Sequence, residues 1–175
     1  MVKTEFFWIK KDPEAPTITN AKNFDRKNYP YLINEEIFSK LDDAVAYYRG
    51  RITECDILFE PTFLIHDRLR DFFGFLEPDL DFKGVQLYKN EKPKENPYPM
   101  YWLPFLPAEN IFSEKMQLIR GVPEKIILDE KKIPDRRILH GQTVAADIWI
   151  LNLEAAECLL RRQPIGIILE KISVA

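Results

Sequence analysis

The chain has 175 residues, of which 46% are hydrophobic and 30% charged, with a formal net charge of −3 and a pI near 5.5. This length fits one domain with a substantial core, and the composition is typical of a globular protein. The negative charge argues against nucleic-acid binding through phosphates. No apolar stretch approaches the ~20 residues of a spanning helix, and the first residues lack a signal-peptide core, so we expect a cytoplasmic protein without membrane contact.

The first elements along the chain are a strand and a capped helix. EFFWIKK predicts the strand, and a polar loop punctuated by prolines follows it. Asn34 is the expected cap of a helix through NEEIFSKLDDAVAYY. Its apolar residues recur near helical spacing at Ile37, Leu41, Ala44, Val45 and Tyr48. DILFEPTFLI then indicates an extended segment with an edge or a bend at Pro61.

A second helix is predicted in the middle of the chain. HDRLRDFFGFL places four apolar residues on its inward face: Leu69, Phe72, Phe73 and Leu76. Pro78 ends this helix, and DFKGVQLY follows as a strand. The acidic cluster in EPDLD could bind a divalent cation, but it lacks the Gly and the bidentate Glu of an EF-hand loop. A solvated turn is the better interpretation.

The segment YKNEKPKENPYPMYWLPFLPAEN is unusual, since five of the 13 prolines lie between Pro93 and Pro107. It contains the aromatic residues Tyr98, Tyr101, Trp102 and Phe105. One interpretation is a loop and a strand whose aromatic side chains enter the core. The other is an exposed aromatic surface, because Tyr and Trp are favoured binding anchors. After this segment, IILD and KKIP predict a hairpin.

The C-terminal stretch predicts a strand, a helix and a final strand. DIWIL is the first strand, Asn152 caps a helix beginning at Leu153, and Pro164 and Gly166 separate it from IILEKI. Arg161 and Arg162 are expected in the last turn of the helix, where they suit its dipole. The apolar face is predicted to contain Leu153, Ala156, Leu159 and Leu160.

Catalytic motifs are scarce. Neither GxGxxG nor GxxxxGK[ST] occurs, and GxSxG and HExxH are also missing from the sequence. His66 beside Asp67 could form a base with its carboxylate, with Cys55 or Cys158 as nucleophile. We favour a structural role instead, in which His66 and Asp67 share the capping of the next helix. By the same reasoning His140 with Gly141 forms a turn, and both cysteines are buried thiols. We therefore assign no catalytic residue, cofactor or metal site.

Three stretches together suggest a family. FLIHDRLRDFFGFLEPDLDFKGVQLY, the Tyr-rich segment after it, and HGQTVAADIWILNLEAAECLLRRQPIGIILEKI resemble bacterial immunity proteins of polymorphic toxin systems, a group long filed as a domain of unknown function. The resemblance runs from about Thr4 to Ile172. It implies a short aromatic first strand, a central strand, helix and strand, and a closing helix, Gly turn and strand. It also implies a toxin domain as protein partner and supplies no catalytic residues.

We therefore predict a single α+β domain over residues 1–175, with a mixed β-sheet and two or three packed helices. The leading function is a non-enzymatic cytoplasmic protein that neutralises a cognate toxin by occlusion; a basic toxin would be steered by an acidic patch. One strand of eight residues, about 26 Å long, separates the two parts of the expected partner surface. That surface contains Glu77, Asp79, Asp81, Tyr98, Tyr101 and Trp102. The alternatives are a small enzyme with a Cys/His or His/Asp site, and a small-molecule sensor whose Pro-rich segment lines a pocket. The oligomeric state stays open.

Overall fold

The structure is a computed structural model and describes residues 4–14, 32–42, 44–48, 55–60, 62–89 and 99–175. It confirms an α+β chain with mixed sheets and three α-helices, in which strands predominate. The chain divides into two compact units. The first contains the described residues of Met1–Lys10, Pro107–Pro164 and Ile168–Ala175, and the second contains those of Lys11–Leu106 and Ile165–Ile167. The single domain stays a prediction, because compactness does not show whether a unit folds alone.

The elements follow one another in short segments. The helices are α1 (Glu35–Lys40), α2 (Asp67–Leu76) and α3 (Leu153–Leu160), with a 3-10 turn at Glu130–Lys132. The strands are β1 (Phe6–Lys11), β2 (Ala44–Tyr48), β3 (Ile57–Leu58), β4 (Leu64–His66), β5 (Asp81–Lys89), β6 (Met100–Phe105), β7 (Gln117–Ile119), β8 (Val122–Lys125), β9 (Ile127–Leu128), β10 (Ile138–Gln142), β11 (Asp147–Asn152) and β12 (Ile167–Val174). No helix in the described ranges is long and apolar enough to span a membrane.

The first unit is built on a five-stranded sheet in the order β10-β11-β1-β12-β9. β11 pairs antiparallel with β10 and β1, whereas β12 and β9 are parallel, so the sheet is mixed. Its strands bury an aliphatic cluster that includes Ile111, Leu128, Ile148 and Ile150. Asn152 caps α3 as predicted, since its Oδ1 accepts the Ala155 N–H at 2.9 Å. The predicted strands DIWIL and IILEKI are also confirmed.

The second unit is built on the sheet β2-β5-β6-β4-β3, in which β2 and β5 are parallel and the remaining pairs are antiparallel. Val85, Tyr101 and Leu103 belong to the core cluster on one face of this sheet. α1 covers that face, because Phe38 stacks on Phe105 with ring centroids 4.7 Å apart. The other face carries the second helix of the unit, α2.

Two predicted elements are wrong. The helix capped by Asn34 is confirmed at its start, but it ends at Lys40, and AVAYY is strand β2. The β-branched and aromatic residues of this stretch suit a strand, and pairing with β5 supplies the long-range hydrogen bonds. The hairpin is formed by β7 and β8 rather than by IILD and KKIP. Instead, Ile127–Leu128 pairs with β12, and Glu130–Lys132 is the 3-10 turn.

Smaller corrections concern side chains near the predicted turns. His140 lies within β10 and is buried, so it does not form a turn with Gly141. α3 ends one residue before Arg161, which is its C-cap. The buried residues of α3 are Ala155, Ala156 and Leu159, whereas Leu153 and Leu160 are exposed. Ala155, Ala156 and Leu159 share one face of the helix, and Leu153 and Leu160 lie about 90–110° around the helix from the centre of that face. Cys55 is a buried thiol as predicted, and Cys158 is half-buried.

Candidate protein-binding site

The candidate site lies on α2, in the second unit. It depends on the contacts that fix this helix. His66 is its N-cap, since the Nδ1 atom accepts the Arg68 N–H at 3.3 Å. The four apolar residues predicted to face inward are all buried: Leu69, Phe72, Phe73 and Leu76. Asp67 in the first turn suits the positive end of the helix dipole. α2 therefore has the inner face that its sequence period predicts.

A buried carboxylate holds the start of α2. Asp56 is only 3% exposed, and Arg68 binds both of its oxygens through Nε and Nη2. The same carboxylate accepts the Ile165 N–H at 2.6 Å. The hydrogen bond with Asp56 raises the pKa of Arg68 above its usual value, although partial burial acts in the opposite direction. These paired charges restrict the first turn of the helix to one position.

The flank of α2 meets an aromatic pair on the sheet. Gly84 pairs directly with Trp102, and Phe82 pairs with Pro104, so both aromatic rings lie on the same face. The Arg70 guanidinium carbon lies 4.8 Å from the centre of the Trp102 ring and 5.3 Å from that of Phe82. The Trp102 Nε1–H donates to Asp67 Oδ1 at 2.7 Å. We call Asp67, Arg70, Phe82 and Trp102 the Arg70 cluster.

The outward face of α2 presents an exposed aromatic ring. Phe75 is 77% exposed, although its neighbours Phe72 and Phe73 are buried. Asp71, four residues earlier, lies beside it on the helix surface, and its side chain is 92% exposed. Asp79, in the turn that follows the helix, is also exposed. Asp71 also pairs with Arg70 Nη1 at 2.9 Å, so the apolar anchor has one paired carboxylate beside it and a second acidic residue in the following turn. We call Asp71, Phe75 and Asp79 the α2 surface.

The structure separates the residues predicted for the partner surface. Tyr101 is fully buried, and its hydroxyl donates to the Cys55 carbonyl at 2.7 Å, so the prediction that it lies on a surface is corrected. Trp102 is half-buried on the opposite face, because neighbouring strand residues alternate. Tyr98 lies outside the described residues.

The three residues predicted for the acidic turn, Glu77, Asp79 and Asp81, also differ in their exposure. Glu77 is only 5% exposed, and its side chain accepts the Asp79 N–H at 3.4 Å, so this carboxylate orders the turn instead of facing a partner. Asp79 and Asp81 are exposed as predicted. Side-chain alternation along β5 directs Asp81 to the sheet face opposite Phe82. Only Asp79 of the three therefore belongs with the α2 surface.

Sequence analysis missed Phe75, although the signal was present. The helical period that assigned Phe72, Phe73 and Leu76 to the inward face leaves Phe75 outside it. A large apolar residue on the outer face of a predicted helix is the kind of exception that marks a binding surface, especially among charged residues.

Three residues of the enzyme alternative, His66, Asp67 and Cys55, make contacts that hold the fold. His66 caps α2 as predicted, while Asp67 accepts from Trp102 instead of sharing that cap. The Cys55 Sγ lies in the core against Gly166, where an added Cβ would be 2.9 Å from the sulfur. Within the residues that the structure describes, no group of three or more His, Cys, Asp or Glu side chains is placed to hold a metal ion.

The second histidine belongs to a buried network in the first unit. His140 Nε2 lies 3.1 Å from Asp147 Oδ1, which also accepts from Gln142 at 2.8 Å. The His140 ring stacks on Trp149 with centroids 4.3 Å apart. With only 3% of His140 exposed, this network ties β10 to β11 and offers no open reacting atom.

Comparison with known proteins gave no relative. A scan against protein-family models found no match, and a search of curated proteins found none either.

Proposed function

We propose that this chain is a non-enzymatic binding protein that neutralises a cognate toxin domain by occlusion, as do the immunity proteins that its sequence resembles. The observation that carries the proposal is Phe75, a 77% exposed aromatic ring on a helix whose other large apolar residues are buried. Occlusion needs a complementary surface, and no reactive group. The α2 surface is the part of the described chain that fits this need best.

The energetics favour Phe75 as an anchor. Burying a phenylalanine side chain contributes roughly 1.5–3 kcal/mol, and aromatic residues often dominate the energy of an interface. α2 is held by its buried apolar face and by the Asp56–Arg68 pair, so the helix that carries Phe75 is already positioned before a partner arrives. Binding then costs little ordering entropy. A rigid anchor of this kind gives slow dissociation.

The charges around the anchor define the chemistry of the partner. Asp67, Asp71 and Asp79 are exposed, and the cation beside them in the described part of the chain, Arg70, lies over the Trp102 ring and pairs with Asp71 at 2.9 Å, so three carboxylates face one guanidinium. The Asp56 carboxylate neutralises Arg68. The α2 surface is thus net negative, like the whole chain. We propose a basic toxin domain with an apolar pocket for Phe75, whose approach the carboxylates accelerate.

Trp102 has a supporting role in this arrangement. Its ring is half-buried beneath Arg70, and its indole N–H is committed to Asp67. It therefore sets the position of two charged side chains at the edge of the α2 surface.

The experiment is capture of the partner from the native host with three tagged chains in parallel: wild type, Phe75→Ala and Leu160→Ala. Leu160 is the matched control, because it is 56% exposed and also lies on a helix. We expect the wild type and Leu160→Ala to retain the same toxin domain, and Phe75→Ala to lose it, with a Kd raised about tenfold or more.

A protection assay completes the test. Cells that express the captured domain should survive with the wild type and with Leu160→Ala, and should fail to grow with Phe75→Ala. If Phe75→Ala binds and protects like the wild type, the α2 surface is wrong. If cells that express a captured domain grow equally well with and without the wild-type chain, neutralisation itself is wrong.

A further inference from the structure

The β7–β8 hairpin of the first unit has an unusual distribution of side chains. All three residues of β7 are exposed, so neither face of the strand is covered. Leu118 is 49% exposed, Ile119 56% and Val122, opposite Ile119, 51%. Ile119 and Val122 are exposed on one face of this short hairpin and Leu118 on the other, a distribution of large aliphatic side chains that globular chains usually avoid unless it is used.

The turn of this hairpin fixes which backbone groups face outward. Arg120 and Gly121 have φ values of 53° and 83°, as the two central residues of a type I′ turn require. Ile119 and Val122 therefore form the hydrogen-bonded pair beside the turn. The next pair, Leu118 and Pro123, must direct its backbone groups away from the hairpin on both sides.

The two outer edges differ in what they offer. Pro123 has no N–H, so the outer edge of β8 lacks a donor at this position, which is a common way to protect an edge strand. Leu118 has both its N–H and its carbonyl, so the outer edge of β7 can accept another strand. Within the described part of the chain the hairpin forms a two-stranded sheet, and β7 has no neighbour on that side. One edge is blocked and the other is open.

We infer that the open edge of β7 pairs with β7 of a second copy of this chain. In an antiparallel pair centred on Leu118, each Leu118 donates its N–H to the other and accepts from it. The two Leu118 side chains then meet on one face, and Gln117 lies opposite Ile119 of the second copy on the other face. The pairing is two-fold symmetric, as most homodimers are.

The nearly neutral charge of the hairpin segment lets a second copy approach, although each chain is negative overall. Each chain carries −3, so two copies meet most easily where their own charges nearly cancel. The segment from Glu114 to Lys125 has two acidic and three basic side chains. Antiparallel pairing also brings Arg120, at one end of β7, towards Glu114 before the other end of β7 in the second copy. A strand of three residues buries far less than a standard interface, so the dimer is weak.

The test is sedimentation velocity of the full chain from about 10 µM to about 1 mM, the range where a weak contact is populated. We expect a concentration-dependent dimer in the wild type. Leu118→Pro removes the outward N–H and reproduces on β7 the feature that blocks β8, so it should weaken association about tenfold or more. Leu118→Val keeps the N–H and most of the apolar surface and should associate like the wild type.

Two further measurements keep the inference falsifiable. In the wild type, amide exchange at Leu118 should slow as concentration rises, independently of any variant. Reversing the charge with Arg120→Glu should weaken the dimer, and adding Glu114→Arg should restore it. A wild type that stays monomeric at about 1 mM overturns the inference. So does an equal loss in Leu118→Pro and Leu118→Val, because that result means general apolar contact and not edge pairing.

Discussion

Two strand, helix and strand segments have the same order and different surroundings. β4-α2-β5 lies in the second unit, and α3 follows β11 and precedes β12 in the first. The charged residues of α3 form pairs open to solvent, such as Arg137 with Glu154 at 3.3 Å. Its exposed Leu160 lies among charges of both signs, Glu157 and Arg161.

α2 differs in how its charges are used. Arg68 is anchored on a buried carboxylate, Arg70 lies over two aromatic rings, and the exposed Phe75 has carboxylates beside it. The same local pattern of cap, apolar residues and stop therefore builds both helices. A binding surface needs more, namely an exposed apolar anchor on a helix whose start is fixed by a buried charge pair.

The largest expected effects come from the inner faces, where the two helices should behave alike. Phe73 and Leu159 are both fully buried. We expect Phe73→Ala to cost ~3–5 kcal/mol and Leu159→Ala ~2–5 kcal/mol in the free energy of unfolding, measured by urea titration. A loss below about 1 kcal/mol for either variant would show that its site collapses around the deletion and is not closely packed.

The next effect should separate the helices. Arg68→Ala leaves the Asp56 carboxylate buried without its cation and should cost about 3 kcal/mol. Arg137→Ala breaks an exposed pair and should cost less than ~1 kcal/mol. Denaturant titrations of the two variants, measured side by side, check the difference. Equal costs would mean that α2 is held no more firmly at its start than α3.

A kinetic measurement sharpens the role of Trp102. With the captured partner, Trp102→Ala should speed dissociation about tenfold, equivalent to ~1.4 kcal/mol, because Arg70 and Asp67 lose their support. Asp79→Asn plus Asp81→Asn should slow association at low salt, mainly through Asp79. A sharply lower Tm for Trp102→Ala, combined with wild-type binding rates of the folded fraction, would assign this ring to the core alone.

The smallest effect concerns the caps. Asn152→Ala should cost about 1 kcal/mol, and Asn152→Asp should be nearly neutral, because either side chain can accept the Ala155 N–H. Amide exchange at Ala155 gives a local measure of the same loss. The His66 bond of α2 is longer, at 3.3 Å, so the Arg68 amide should respond less to His66→Ala. Equal losses from both Asn152 variants would refute the capping role.

Much of the fold could be predicted where the spacing of apolar residues agreed with the positions of helix caps, prolines and glycines. α2, α3 and their flanking strands are correct because a cap, a run of apolar residues and a proline or glycine stop coincide at each, although Leu153 and Leu160 of the predicted α3 face are exposed. The prediction of a helix through AVAYY was wrong because its apolar residues also suit a strand, and pairing with β5, which is distant in sequence, makes it one. The hairpin at Arg120 and Gly121 was missed since Arg is an unusual residue for a positive φ.

The candidate surface was predictable in part. Asp79 follows α2 and is exposed, and Trp102 lies against the flank of α2 beneath Arg70, but Tyr101 cannot join Trp102, since adjacent strand residues point to opposite faces. The alternation of side chains along a strand is by itself sufficient to separate that pair. The buried carboxylate of Glu77 was beyond sequence reasoning, because the turn around it is fixed by packing of the neighbouring residues Leu76 and Leu80.

The bond from the Ile165 N–H to Asp56 has a consequence for synthesis of the protein. The two residues are 109 positions apart, so Asp56 leaves the ribosome long before its partner is made. At a rate of about 5–20 residues per second, the delay is at least roughly 5 seconds. During that interval α2 can form its local contacts, but the second unit lacks its last segment, Ile165–Ile167. During this delay the Asp56 carboxylate of the nascent chain can pair with Arg68 but not yet with the Ile165 N–H.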